Sequence, residues 1–129
     1  MVLGNGNYFF KRNDFGENSS STFKFLRNDK DFTDMTLACD DHHDIEAHKV
    51  ILSAYSKFFD KILRQSKHPH PLIYLMGVKS RYLVSIVDCI YHGEVRIPQQ
   101  DLKEFMLFAT ELKIKGLGED GSDKRRNKA

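Results

Sequence analysis

The sequence predicts an α+β domain, a helical cluster capped by a small mixed β-sheet, from three observations. Apolar residues follow a strand-like period over "FTDMTLAC" and switch to helical spacing from Ala47 onward. The helical segments outnumber what three or four short strands can cover on two faces. A chain of 129 residues with 40% hydrophobic content is one domain's worth, long enough for a single core.

The elements follow in order. Residues 1–22 are rich in Gly, Asn and Ser, with "YFF" at 8–10 as a β-favouring patch. "ENSSSTFKFLRNDK" offers Ser and Asn caps, then Phe23 and Leu26 at helical spacing. Phe32, Met35, Leu37 and Cys39 mark a strand, Asp40–His43 a polar break, and "DIEA" a strand pairing back as a hairpin. Val50, Ile51 and Ala54 share the next helical face, widened by Leu52. Ser56 is placed to cap a second helix carrying Phe58, Phe59, Ile62 and Leu63. Pro69 and Pro71 stop it, and "LIYL" reads as a short buried strand. Ser80 can cap a helix with Leu83, Ile86, Val87 and Ile90 inside, and Gly93 is where a left-handed stop falls. "EVRI" is a brief extended piece closed by Pro98. "DLKEFMLFATELKIKG" is the most regular helix, lined by Leu102, Phe105, Met106, Ala109 and Leu112. The segments divide as a leader (1–16), a folded domain (17–117) and a charged tail or linker (118–129).

Composition excludes several function classes. A formal charge of +2 is too small to argue for a nucleic-acid or membrane surface. The longest clean apolar run is "FMLFA", and the amino terminus lacks a hydrophobic signal region, which points to an intracellular chain. Cys39 and Cys89 form no Cys-x-x-Cys pair and fit buried thiols. "CDDHHDIEAHKV" is dense in potential metal ligands. However, His42 and His43 are adjacent, and His43 and His48 straddle a change of secondary structure. Neither spacing converges four ligands on zinc, so the stretch reads as a polar turn in the framework. His48 is expected to be a partly buried ring bonded to backbone, and His68 and His70 to flank a proline-fixed turn. Ser53 and Ser56 near His48 lack a Gly-x-Ser-x-Gly elbow, so capping is their role. "GNGN" lacks the rest of a phosphate loop, and "DKRRNK" is a solvated tail or part of a nuclear-import signal. No catalytic residue, cofactor or metal site is expected.

"DFTDMTLAC", "IEAHKVILSA", "FF", "HPHPLIYL", "YHGEV" and "ELKIKGL", in this order, strongly resemble a BTB/POZ domain of the Tramtrack type found in arthropod transcription regulators. The resemblance runs from about Tyr8 to Leu117. The opening "FFKRNDFGENSSSTFKFLR" is similar to that subgroup's leader, with Arg12 where tryptophan is usual. That leader is implicated in assembly beyond the dimer. The resemblance implies a strand-swapped homodimer in the nucleus that binds related BTB proteins and recruits corepressors or chromatin factors. Such domains often precede DNA-binding zinc fingers; none occurs here, so a fragment or a BTB-only competitor of longer relatives is expected. No direct nucleic-acid or membrane contact by this domain is implied.

On this reading Phe23, Leu26 and Phe32 pack against their symmetry mates. Tyr8, Phe9 and Phe10 add a strand to the partner's Val95–Ile97. The resemblance places Asp34 and Lys49 in a charged pocket near the dimer's centre, chemically able to form an ion pair. The alternative is a cullin-ligase substrate adaptor, which usually carries a hydrophobic-x-Glu element where this chain has Gln65.

Overall fold

A computed structural model describes residues 6–10, 19–41 and 43–117. The elements run α1 (Ser19–Arg27), β1 (Met35–Cys39), β2 (Ile45–Ala47), α2 (Lys49–Tyr55), α3 (Lys57–Gln65), β3 (Leu72–Leu75), α4 (Ser80–His92), a 3-10 turn (Gln99–Asp101) and α5 (Leu102–Leu112). The sheet has order β2-β1-β3, with β2 antiparallel and β3 parallel to the central β1. The expected α+β cluster with a small mixed sheet is therefore the observed one.

The core forms where sheet and helices meet. β1 is the only strand of the three with neighbours on both sides, and Met35, Leu37 and Cys39 at alternate positions are all fully buried. Against them pack Leu52 of α2, Phe59 of α3, Leu83, Ile86 and Val87 of α4, and Phe105 and Ala109 of α5. Ser56 joins α2 to α3. Its extended backbone ends the first helix, and its Oγ accepts from the Phe59 N–H (3.1 Å) as the N-cap of the second. The same hydroxyl donates to the Leu112 carbonyl (2.7 Å), tying α5 to the α2–α3 corner. Gly93 terminates α4 at φ +84°, and its N–H donates to the Cys89 carbonyl (2.8 Å), as expected of that glycine.

Several expectations fail for identifiable reasons. Val50 and Ala54 face solvent; Ile51 and Leu52 carry α2's burial, because a seven-residue helix presents one narrow edge to the core. "LIYL" is not buried throughout: Leu72 and Tyr74 lie on the sheet face turned away from the core and are exposed, while Ile73 is half-buried against the core and Leu75 is covered. Ser80 does not cap α4; Lys79 holds the N-cap position without a side-chain bond. Residues 94–98 adopt no strand in the chain itself. α5 stops at Leu112 because Lys113 turns left-handed (φ 53°), which sends Ile114 into an antiparallel bridge with Ser56. Along α5 the inner face is Phe105, Phe108, Ala109 and Leu112, while Leu102 is exposed and Met106 half-buried. The tail at 118–129 and residues 11–18 of the leader region lie outside the described residues.

Candidate interaction surface

α1 packs against α4 and is held there by Arg27, whose Nε donates to Asp88 Oδ1 at 2.8 Å. Its apolar residues divide between two directions. Phe23 and Leu26, three apart, are half-buried against the core, and the Phe23 ring meets Tyr55 edge-on at 6.5 Å between centroids. Phe25 points the other way and is 71% exposed. Phe32, in the turn before β1, is 75% exposed, and Phe10 in the leader is 88% exposed beside exposed Tyr8 and Phe9. Of the residues expected to meet a second copy, Tyr8–Phe10 and Phe32 thus lie open, while Phe23 and Leu26 are already engaged within the subunit. Phe25 was not among the candidates. Its offset of two from Phe23 on a helix was the available signal, since residues two apart do not share a face.

Val95 and Ile97 are half-buried against the core. Among the described residues, none makes a backbone–backbone hydrogen bond to Glu94–Ile97.

Asp34 and Lys49 do meet, but through the main chain. Asp34 Oδ1 accepts from the Lys49 N–H at 2.7 Å at the start of α2, while Lys49 Nζ reaches the His68 carbonyl at 3.3 Å. The two side chains are not ion-paired; Asp34 satisfies a helix-start N–H that has no intrahelical partner.

His48, between β2 and α2, is only 6% exposed. Its ring bonds a side chain rather than the backbone: Nδ1 lies 2.6 Å from the Tyr91 hydroxyl, which also accepts from the His48 N–H at 2.9 Å. The hydroxyl can both accept from this N–H and bond Nδ1, while Nε2 has no hydrogen-bond partner among the described residues. Burial pushes the Tyr91 phenol up to about 12, so it stays protonated as a donor.

The acidic residues of the polar break have structural partners. Asp40 accepts from the Gly77 N–H (2.8 Å) and the Tyr74 hydroxyl (2.9 Å). Asp41 accepts from the Cys39 thiol (3.1 Å) and from the Ser80 hydroxyl (2.8 Å) and N–H (3.1 Å to Oδ2). It thereby caps α4 from a different loop, the role expected of Ser80. These bonds, with Cys39 first, hold the Asp41 carboxyl down at about 2. Burial and the neighbouring carboxylate push the Cys39 thiol up. His43 is exposed, and His70 Nε2 lies 2.9 Å from Thr36 Oγ1. Among the described residues no group of three or more His, Cys, Asp or Glu side chains is arranged to hold a metal ion, and no helix is long and apolar enough to cross a membrane.

The family model for the BTB/POZ domain matches residues 23–128. Longitudinals lacking protein-like of Drosophila melanogaster is 40% identical over 98% of both chains. Protein abrupt and protein tramtrack, alpha isoform, of the same species are 38% and 35% identical over 87% and 96% of this chain. In those two the match spans only 12% and 15% of the relative's length. The BTB domain of zebrafish PATZ1 superposes with a TM-score of 0.74 at 18% identity, covering 88% of this chain and 93% of that one. The BTB domain of human Gigaxonin gives 0.71 at 20%, covering 88% and 92%. These two likenesses are of fold.

Proposed function

Since this chain belongs to the BTB/POZ domain family, we propose that it works by docking proteins, first of all a second copy of itself, as the interaction domain of a nuclear transcription regulator. The observation that carries the reading is the outward set of aromatics in the first 32 residues: Tyr8, Phe9, Phe10, Phe25 and Phe32 are all large, apolar and exposed. Five such rings left in water favour a partner surface. A second copy supplies it with the same patch on both subunits, as twofold symmetry requires. Phe23 and Leu26 back that face from inside the subunit. Val95–Ile97, which forms no strand within the chain itself, accepts the partner's Tyr8–Phe10 as an added strand. An interface of this kind buries more than about 2,000 Å² in total. Related BTB proteins fit the same surface, and recruitment of corepressor or chromatin proteins follows from the assembled dimer.

Phe25 and Phe32 make the sharpest test because neither supports the subunit's own core. Light scattering coupled to size exclusion on residues 1–129 should show a dimer. The double change Phe25→Ser, Phe32→Ser should shift it to a soluble monomer or weaken association by about 100-fold or more. A wild-type monomer, or a double variant that dimerises unchanged, overturns the reading. Phe23→Asp is a poorer probe, since it unfolds the subunit whether or not a dimer exists.

A further inference from the structure

β3 ends the sheet on one side: β1 pairs along one of its edges, and no described strand pairs along the other. The phase of the β1–β3 ladder decides which residues turn outward. The Thr36 N–H donates to the Pro71 carbonyl at 3.0 Å, and Thr36 stands opposite Leu72. In a parallel ladder that places the N–H and C=O of Leu72 on the side away from β1, and the alternation repeats at Tyr74. Pro71, which has no N–H, stands at an inward position where its carbonyl alone is used, so it does not block the outer edge. Leu72 and Tyr74 also carry exposed side chains on the outer sheet face. The two ends of the strand differ in charge. Lys49 Nζ reaches the His68 carbonyl (3.3 Å) before its start, and Asp40 accepts from the Tyr74 hydroxyl (2.9 Å) and the Gly77 N–H (2.8 Å) at its end.

We propose that this edge is a second contact between copies of the chain: β3 pairs antiparallel with β3 of another copy about a twofold axis at Ile73, joining two sheets into one. A register closes the ladder when outward residues oppose outward residues. With Ile73 facing Ile73, Leu72 of each copy opposes Tyr74 of the other, and each such pair exchanges both N–H···O=C bonds. Their side chains then meet as aliphatic–aromatic cross-strand pairs on the outer face. The same arrangement brings the Lys49 end of one strand against the Asp40 end of the other, whereas parallel pairing sets like charges together. This match of charge and of outward residues to themselves under a twofold axis selects a second copy over an unrelated strand. Two four-residue strands make a small contact, in the class below about 1,200 Å² of total buried area. It is therefore weak between single subunits and takes effect between dimers, which carry one free edge per subunit. The contact uses none of the five exposed aromatics and goes beyond the dimer they form.

The test is sedimentation velocity on the full 129-residue chain over a concentration series. Wild type should pass from dimer to larger species as concentration rises. Leu72→Lys, Tyr74→Lys sets Lys opposite Lys across the axis and should raise the concentration needed for half-assembly by about tenfold or more. Leu72→Glu, Tyr74→Glu should do the same, and an equimolar mixture of the two variants should restore the larger species. Both positions are exposed, so neither variant disturbs the core. A covalent trap reads the register. In a Cys89→Ser background, Ile73→Cys treated with oxidised glutathione should form a disulfide between copies, since facing residues of that pair lie about 4.5 Å apart at Cα. Leu72→Cys, offset diagonally from its mate, should not. A wild type that never exceeds the dimer, assembly unchanged in the Lys variant, a mixture that stays dimeric, or no linkage through Ile73→Cys overturns the proposal and leaves the dimer reading standing. A wild-type monomer that still links through Ile73→Cys supports the edge contact and sinks the dimer reading instead.

Discussion

At the His48 junction Tyr91 is buried, and its hydroxyl is shared between the His48 ring and the His48 N–H. Phe25 on α1 has as much apolar surface to hide and leaves 71% of itself exposed. Both rings stand on helices that pack against each other, since α1 lies on α4. The difference is one of completeness. The interior satisfies an aromatic residue within one subunit, ring and polar tip together, whereas the outer face places rings that no described residue covers. Removing a group from the first region should cost the subunit its stability, and removing one from the second should cost it its partner.

The largest expected effect breaks the interior side of that comparison. Tyr91→Ala should destabilise the subunit by about 3–5 kcal/mol, through the cavity left by a buried ring. Tyr91→Phe keeps the ring and removes the acceptor for the His48 N–H, at a cost of about 1–3 kcal/mol. Urea denaturation measures both. Dimer dissociation of the Phe variant, followed by light scattering below the unfolding transition, should match wild type. If Tyr91→Phe dissociates the dimer without lowering subunit stability, the two regions are not separable as argued.

A smaller effect comes from Ser56, whose hydroxyl both caps α3 and anchors the Leu112 carbonyl. Ser56→Ala should cost about 1–2 kcal/mol in the same denaturation experiment, the value of a cap plus a buried carbonyl left without its donor. Ser56→Thr retains the hydroxyl and should recover part of the loss.

How much of this was legible in the chain depends on how local each cause is. Ser56 and Gly93 were legible because a cap or a left-handed stop acts within a few residues of itself. Leu37, Phe59, Leu83 and Phe105 were legible from periodicity alone. The misjudged positions involve distant partners. Asp41 caps α4 from 39 residues away and displaces Ser80 from that role. Leu72 and Tyr74 are exposed because only one face of β3 meets the core, whereas the composition of "LIYL" is apolar on both faces. His48 bonds a tyrosine 43 positions on. On the candidate surface, helical geometry separates Phe25 from Phe23, yet which of the two faces inward is decided only when α1 docks on α4.

The smallest and most specific effect concerns Asp41, whose carboxylate joins β1 to the start of α4. Its pKa in the folded chain, about 2, lies below the ordinary 3.8, because the Cys39 thiol and the Ser80 hydroxyl and N–H all donate to the charged form. The native state therefore binds fewer protons here than the unfolded chain does, and stability from this group rises with pH across that interval. It is complete above about pH 5, drains as pH falls through 3.8, and is gone once the folded group protonates near 2. Asp41→Asn keeps one acceptor and removes the titration. The stability gap between wild type and this variant should be widest at neutral pH and close steadily between pH 5 and pH 2. Thermal unfolding at a series of pH values measures the gap. A gap that stays constant to pH 2 would mean that the capping geometry, not the negative charge, does the stabilising. The aromatic face should be indifferent to the change, with the same dimer dissociation in both proteins at neutral pH.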